Sequence, residues 1–220
     1  MEGKFAAIID ALASNGWIII PDFLPKNYLK NLAEEASSAW ESGDFRRAGV
    51  GQGDQLKVRT EIRSDFIHWL EPENLTALQQ EYWQLLDDLR LEINRHLYLG
   101  LRSFEGHFAV YPAGSFYKKH IDQFQTTRHR MVSCLLYLNE NWHPEDGGQL
   151  RIFYPGSEER FIEVLPEFGT FVCFRSDTIV HEVLPAKRER FSLTGWLRKD
   201  IIWKIIPVAA SQNRCCETCW

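Results

Sequence analysis

Residues 131–139 read MVSCLLYLN, and this largely apolar stretch is one of eight short segments that decide the fold. All eight lie after Gly100, are rich in Val, Ile, Phe and Tyr, and are separated by Gly, Pro, Asn or Asp. Such segments favour strands, and the residues between them favour turns. We predict strands near residues 103–111, 117–121, 131–139, 149–154, 161–165, 170–174, 178–183 and 190–199.

The first hundred residues show a helical period instead. Apolar residues recur at three- and four-residue steps in 4–14, in a segment opened by Pro25, and from Pro72 to Leu99, where Gly100 is the predicted stop signal. A short strand is expected at 17–20. Three helices followed by eight strands predict an α+β, mainly β fold: a double-stranded β-helix (jelly-roll) core with N-terminal helices packed on one outer face.

The length fits one domain. In 220 residues a single core can bury most of the apolar material. We expect a single domain over residues 1–206, with helical support at about 1–100 and the jelly-roll core at about 101–206. A C-terminal tail then covers residues 207–220. Residues 43–61, rich in Gly and charge, are expected to form a mobile loop that closes over a substrate.

Charge and cysteine content exclude several classes of protein. A net charge of -5 argues against binding to nucleic acid or to an anionic membrane, because such proteins usually carry a basic excess. No stretch approaches the roughly 20 apolar residues of a membrane span, and Asp10 interrupts the N-terminal apolar run, so no signal peptide is expected. An odd number of cysteines, five, fits reduced thiols and a cytoplasmic location.

Three of the cysteines cluster near the C-terminus. Cys215, Cys216 and Cys219 have no His or fourth Cys near them in the sequence, whereas a structural zinc site needs four ligands. The simpler interpretation is a mobile tail without a metal.

His120, Asp122 and His181 are candidate metal ligands. Positions 120 and 122 share one face of a strand, and His181 can reach them from another strand of the barrel. Two imidazoles and one carboxylate leave about three positions on a metal open, which suits Fe(II) with an organic chelator and O₂. The alternatives are two polar residues on a surface strand, or a structural zinc site. The other five histidines, His107 included, are expected to be non-ligands.

Arg190 opens a strand in which Ser192 and Thr194 share its face. A buried arginine needs an anionic partner, since an unpaired buried charge is costly. That partner is either one of the protein's own carboxylates or the far carboxylate of a dicarboxylate ligand, which a guanidinium can bind through two hydrogen bonds.

Together, these motifs carry a resemblance to a known family. Residues 62–198 resemble the Fe(II)- and 2-oxoglutarate-dependent oxygenases, and within them the HIF prolyl hydroxylase (EGL-nine type) or prolyl 4-hydroxylase branch and its compact bacterial relatives. The matching stretches are Tyr111-Pro-Ala-Gly, Tyr117-Lys-Lys-His-Ile-Asp122, Arg130 through Asn139, Gly147 through Phe153, His181-Glu-Val, and Arg190 through Trp196.

The resemblance implies a role for each matching residue. His120, Asp122 and His181 correspond to the iron ligands, and Arg190 to the residue that binds the C5 carboxylate of 2-oxoglutarate. The other cofactor-binding positions are Tyr137 on the same carboxylate, Tyr111 near the metal-chelating end, the pocket-lining Leu150 and Thr194, and Trp196 on the wall near the iron.

Four residues are implied on the substrate side: Arg63, Asp65, Trp69 and Arg130. Ser64 stands where the family often has glycine. Asp65 has an alternative role as an ion-pair member or helix cap, and Trp69 has one as a core residue.

The implied activity is prolyl 4-hydroxylation of a protein substrate, coupled to decarboxylation of 2-oxoglutarate to succinate and CO₂. Fe(II), 2-oxoglutarate and O₂ are the implied cofactors and cosubstrates, with ascorbate as a reductant. A translation elongation factor is the first candidate partner, because some bacterial relatives act on one. The alternatives are hydroxylation of another protein residue or of a small molecule, and a non-catalytic metal-binding jelly-roll module. The oligomeric state stays open.

Overall fold

The computed structural model describes residues 1–51, 57–124, 126–157 and 159–200. The described residues contain three α-helices: α1 (Glu2–Ser14), α2 (Lys26–Glu41) and α3 (Ala77–Leu97). None of these helices has the length and apolar character needed to cross a bilayer. The strands are β1 (Trp17–Ile20), β2 (Arg46–Arg47), β3 (Phe66–Trp69), β4 (Ser103–Tyr111), β5 (Tyr117–His120), β6 (Arg130–Tyr137), β7 (Leu150–Phe153), β8 (Phe161–Val164), β9 (Phe171–Arg175), β10 (His181–Val183) and β11 (Arg190–Arg198).

The strands form two antiparallel sheets. The larger has the order β1-β9-β6-β11-β4-β3-β2, and the smaller has the order β5-β10-β7-β8. Several neighbouring strands are not consecutive in the sequence, as when β10 pairs with both β5 and β7. Two such sheets are the arrangement expected of a double-stranded β-helix, so the predicted mainly β fold with a jelly-roll core is confirmed.

The central strands of the larger sheet are buried on both faces, and β6 shows why. Val132, Cys134 and Leu136 belong to an apolar cluster that contains the buried faces of all three helices. The alternate residues Leu135 and Tyr137 belong to a second cluster, which also contains side chains of the smaller sheet. A strand covered on both faces has no polar face, which explains the nearly continuous apolar sequence of residues 131–139.

Helix α3 is shorter than predicted at both ends. Pro72–Asn74 form a separate 3-10 turn, and the helix is capped by Thr76, whose hydroxyl accepts from the Gln79 amide N–H while the Gln79 side chain accepts from the Thr76 N–H. The helix ends at Leu97 because Tyr98 turns left-handed, with φ 53°. The predicted stop at Gly100 is therefore wrong by about one half-turn.

Residues 43–61 contain more structure than the predicted loop. Strand β2 pairs with β3, which the sequence did not indicate as a strand, and Val50 forms an isolated bridge with Lys57. Strand β3 in turn pairs with β4 and extends the larger sheet. The predicted domain boundary at 206, the tail 207–220 and its cysteines lie outside the described residues.

Candidate active site

A cavity of about 500 Å³ lies between the two sheets. It is lined by strands of both sheets and by residues of the segment that follows β2. Of the thirteen site residues that the sequence predicts, twelve line this cavity; the exception is Tyr137, whose ring centre lies 4.8 Å from the guanidinium carbon of Arg190. The twelve are Arg63, Asp65, Trp69, Tyr111, His120, Asp122, Arg130, Leu150, His181, Arg190, Thr194 and Trp196.

The three predicted metal ligands come together at the cavity. His120 ends β5, His181 begins β10, and the two are direct partners in the strand register. One ligand atom from each of His120, Asp122 and His181 lies within 4.8 Å of the others. Asp122 Oδ1 is 3.4 Å from His120 Nε2 and 3.6 Å from His181 Nε2. Asp122 lies in a bend just past β5 and not on the strand itself, so the shared-face argument for residues 120 and 122 was wrong although the side chains converge.

The hydrogen bonds around the ligands leave the right atoms free for a metal. His120 Nδ1 is 2.7 Å from the Lys118 carbonyl oxygen, and His181 Nδ1 is 3.2 Å from that of Ile179. An Nδ1–H that donates to a carbonyl leaves Nε2 with a lone pair for coordination. The Ser133 hydroxyl donates to Asp122 Oδ2 at 2.6 Å, which orients Oδ1 toward both histidines.

Electrostatics favour the protonation states that a metal requires. Burial is the main reason why the pKa of His181 falls to about 4, and His120 lowers it further. Burial would raise the pKa of Asp122, but His181, His120 and the Ser133 hydroxyl hold it well below its usual range. A neutral imidazole and an ionised carboxylate are the forms that bind a divalent cation.

Arg190 lies inside the same cavity with part of its hydrogen-bonding capacity unused. It is 1% exposed, and its Nε donates to the Gly148 carbonyl at 2.9 Å. Its guanidinium carbon is 4.9 Å from the ring centre of Tyr111 and 4.8 Å from that of Tyr137. Nη2 is buried and has no hydrogen-bond partner in the part of the chain that the structure describes. That part of the chain also offers Arg190 no carboxylate, so a ligand carboxylate is the better interpretation.

Tyr137 presents a second unused group beside Arg190. Its side chain is fully buried, and its hydroxyl oxygen has no hydrogen-bond partner among the described residues. Burial raises the pKa of Tyr137, and Arg190 opposes the rise, so the hydroxyl stays protonated and able to donate. A guanidinium and a phenol with unmet hydrogen bonds fit the far carboxylate of 2-oxoglutarate.

Comparison with known proteins gives the site its family. Residues 106–198 match the sequence profile of the 2OG-Fe(II) oxygenase superfamily. A crystal structure of a Pseudomonas putida prolyl-4-hydroxylase is similar with a TM-score of 0.80 and 46% sequence identity, over 88% of this chain and 98% of that one. The chain belongs to the 2OG-Fe(II) oxygenase superfamily. Fe(II) and 2-oxoglutarate are the cofactors of this superfamily, and both fit the residues described above.

Three further relatives of this oxygenase come from animals. A Trichoplax adhaerens prolyl hydroxylase, solved with a peptide of the hypoxia inducible factor oxygen degradation domain, has a TM-score of 0.80 and 29% identity over 90% of each chain. The Caenorhabditis elegans hypoxia-inducible factor prolyl hydroxylase is 30% identical over 201 residues, which are 86% of this chain and 27% of that protein. The oxygenase thus spans about a quarter of the length of this curated relative, and it spans 45% of human Egl nine homolog 1.

The other predicted cofactor positions surround the metal and Arg190. Tyr111 pairs with Arg190 across β4 and β11, which places it at the Arg190 end of the cavity. Burial raises the pKa of its hydroxyl well above the usual value. Leu150 is buried on β7, and Thr194 is half-buried on β11 with its hydroxyl 3.2 Å from that of Ser192. Their assigned roles toward 2-oxoglutarate stay predictions.

Arg63 and Asp65, predicted on the substrate side, bind each other. Arg63 Nε donates to Asp65 Oδ1 at 2.8 Å, and a second hydrogen bond joins Arg63 Nη2 to Asp65 Oδ2. Asp65 is 1% exposed, and the Arg63 guanidinium lies 4.3 Å from the ring centre of Tyr117. Asp65 is therefore a member of an ion pair, which was the alternative to a substrate-side role. Both Arg63 and Asp65 still line the cavity.

Arg130 forms part of the cavity wall. Its Nε donates to Glu105 at 2.7 Å, and its guanidinium carbon lies 3.4 Å from the ring centre of Trp196. Glu105 also forms an ion pair with Arg198. A guanidinium held in this way fixes the orientation of the Trp196 ring.

Three residues of the site were not among those predicted from the sequence. Tyr117 stacks on His120, with ring centres 3.5 Å apart, and Ser133 orients Asp122. His107, which was treated only as a non-ligand, lines the cavity between Trp69 and Trp196. Strand alternation was the available signal, because His107 lies four residues before Tyr111 and Ser133 lies four residues before Tyr137.

Proposed function

We propose that this oxygenase is a prolyl 4-hydroxylase that acts on a protein substrate. The observation that carries the proposal is the similarity to the Pseudomonas putida prolyl-4-hydroxylase, at 46% identity over nearly the whole of that chain. The similarity to the Trichoplax adhaerens enzyme in complex with a peptide supports a protein substrate. The residues around the cavity supply what such a reaction requires.

Each group of residues has one task. His120, Asp122 and His181 would hold Fe(II), and Ser133 fixes the carboxylate of Asp122. Arg190 and Tyr137 bind the far carboxylate of 2-oxoglutarate, which orients its keto acid end toward the metal. Fe(II) held there would supply the chemistry that divides O₂ between the hydroxylated substrate and succinate, with release of CO₂ from 2-oxoglutarate. The protein orients the reactants and limits the access of water.

The substrate enters on the aromatic side of the cavity. Trp69, Trp196 and Tyr117 provide apolar surface there, which suits the ring of a proline in an extended peptide. A translation elongation factor remains the first candidate partner. Cys134 and Cys173 are both free and buried although they are partners in the register of β6 and β9, which supports a reducing compartment such as the cytoplasm.

A succinate-release assay with a library of proline-containing peptides tests the proposal. The protein is loaded with Fe(II) and 2-oxoglutarate, with ascorbate as reductant, and products are mapped by tandem mass spectrometry. We expect succinate release to rise with particular peptides and one oxygen atom to appear on their proline. Oxygen on another residue, or on an added small molecule only, would replace the proposed substrate class. Tight zinc binding without any succinate would favour the non-catalytic module.

A further inference from the structure

His107 is a buried polar residue of the cavity wall that neither the metal site nor the 2-oxoglutarate site uses. It lies on β4 and is 3% exposed. Its Nδ1 is buried and has no hydrogen-bond partner in the described part of the chain. A buried polar atom without a partner is unfavourable, so such an atom beside a cavity indicates a hydrogen bond to something that enters the cavity.

Two tryptophans enclose the His107 ring. The ring centre lies 4.9 Å from that of Trp69 and 5.4 Å from that of Trp196, and the planes of His107 and Trp196 are 26° apart. Trp196 Nε1 is also buried, and none of the described residues forms a hydrogen bond with it. This part of the cavity therefore combines apolar ring faces with two unmet polar atoms.

The position of His107 separates it from the 2-oxoglutarate site. In the register of β4 and β11, His107 is opposite Thr194, whereas Tyr111 is opposite Arg190. Four residues of strand place these two pairs about 13 Å apart. The five carbons of 2-oxoglutarate extend about 5 Å, by comparison with extended backbone. A cosubstrate held by Arg190 and the metal thus leaves Nδ1 of His107 free.

The charge state of His107 suits a neutral ligand. Burial lowers the pKa of His107 well below its usual value, the cations of Arg63 and Arg130 lower it further, and Asp122 opposes them. A neutral imidazole has one donor and one acceptor nitrogen. A peptide group offers the complementary carbonyl and N–H.

We propose that His107 is a specificity-determining contact that hydrogen-bonds a main-chain peptide group of the substrate, beside the residue to be hydroxylated. Trp196 Nε1, which can only donate, binds a carbonyl of the same segment. The inference rests on the proposed function, because it takes the substrate to be a polypeptide. His107 would then select the substrate without contacting the metal or the cosubstrate.

Peptide binding separates this role from a structural one. The probe is the library peptide that the wild type hydroxylates most, carrying a fluorescent label. Its affinity is measured by anisotropy on protein loaded with Mn(II) and 2-oxoglutarate under nitrogen, so that no turnover occurs. His107→Leu and His107→Phe remove both nitrogens, and the second keeps an aromatic ring between the tryptophans. His107→Asn and His107→Gln each restore one amide, near the positions of Nδ1 and Nε2. His96→Leu, on the exposed face of α3, is the matched control.

We expect the Leu and Phe variants to bind the peptide about tenfold more weakly, the loss of roughly one buried hydrogen bond. The Asn or the Gln variant should recover most of that affinity, and 2-oxoglutarate affinity should stay at the wild-type value in all of them. The inference is overturned if the apolar variants bind the peptide like the wild type, or if all four substitutions weaken peptide and 2-oxoglutarate binding alike. If the wild type hydroxylates no peptide, the proposed function fails and the inference fails with it.

Discussion

At the scale of single residues, the site depends on side chains that are held by one atom and free at another. Asp122 is bound by Ser133 through Oδ2 and faces two histidines with Oδ1. Arg190 is bound by the Gly148 carbonyl through Nε, while Nη2 has no partner among the described residues. Such half-satisfied groups are expected where a ligand completes the set.

Ser133 gives a graded test of the metal site. Asp122→Ala should abolish succinate formation, because two histidines alone hold Fe(II) weakly. Ser133→Ala should keep the Asp122 carboxylate but remove the hydrogen bond that orients it. We expect metal affinity to fall about 10- to 100-fold. Metal affinity is measured by equilibrium dialysis with Mn(II), and Ser14→Ala on the exposed end of α1 is the control. Unchanged affinity in Ser133→Ala would show that the hydroxyl does not orient the carboxylate.

Arg190 gives a test of the 2-oxoglutarate site. Arg190→Ala removes a buried cation from the cavity wall, so the KM for 2-oxoglutarate should rise at least tenfold while metal affinity is retained. Tyr137→Phe removes one hydrogen bond and should have a smaller effect in the same direction. Steady-state succinate release at varied 2-oxoglutarate measures both, with Arg95→Ala on the surface of α3 as the control. A wild-type KM in Arg190→Ala would place the cosubstrate elsewhere.

At the scale of elements, the turn before β7 determines where Arg190 lies. Gly147 has φ 71° and Gly148 has φ 68°. A Cβ on Gly147 would lie 2.4 Å from the Pro185 carbonyl oxygen, and one on Gly148 would lie 3.0 Å from Arg190 Cδ. The two glycines therefore let the chain pass close to β11, and the Gly148 carbonyl binds the arginine.

Gly147→Ala should consequently affect both stability and the site. We expect the free energy of unfolding to fall by about 1–3 kcal/mol, because the backbone conformation and the contact with Pro185 both disfavour a side chain. The KM for 2-oxoglutarate should rise as Arg190 shifts. Urea unfolding provides the measurement, and Gly3→Ala, whose Cβ would meet nothing within 4 Å, should be as stable as the wild type or slightly more so. Equal stability of both variants would contradict this account of the turn.

Much of the fold could be predicted from the sequence because several elements have a clear pattern of apolar residues. The helical period of α3, the alternation in β11 and the apolar run of β6 each indicated their element. Strand β3 was missed because it follows a charged segment, and its pairing with β4 makes it a strand. The contact between His181 and His120 was permitted by the sequence, but only the strand register shows it.

The local sequence cannot predict which polar atoms of the cavity lack a hydrogen-bond partner. Whether Tyr137, Arg190 or His107 finds a partner within the protein depends on which side chains the folded sheets bring near it. The same holds for Arg63, which forms an ion pair with Asp65 and still lines the cavity, so its predicted substrate contact stays a prediction. Sequence alone named most of the residues, and the structure decides which of their atoms are free.

At the scale of the whole molecule, buried histidines couple stability to pH. The pKa of His107 is well below its usual value, and the pKa of His181 is about 4, in both cases chiefly through burial. An unfolded histidine titrates near pH 6.5, as a rough reference value. Below that pH the unfolded chain takes up protons that the folded protein does not, so acid favours unfolding.

The metal-free protein should therefore lose stability as the pH falls from about 6.5 toward 4. Each of the two histidines should lower the free energy of unfolding by at most about 1.4 kcal/mol per pH unit, between its pKa in the unfolded chain and its pKa in the folded protein. Urea unfolding at a series of pH values measures the slope, and His107→Asn should reduce it, since one of the two groups is removed. A slope that is flat between pH 6.5 and 5, or unchanged in the variant, would contradict the buried neutral state of His107.

The most direct test of the central claim is the visible absorption of the Fe(II)-loaded protein when 2-oxoglutarate is added without oxygen. Chelation of Fe(II) by the keto acid at the site of His120, Asp122 and His181 should produce a weak charge-transfer band. The band should be absent in Asp122→Ala and should need at least tenfold more 2-oxoglutarate in Arg190→Ala. The absence of any band in the wild type, together with tight zinc binding at the same residues, would contradict the assignment of an Fe(II) and 2-oxoglutarate site.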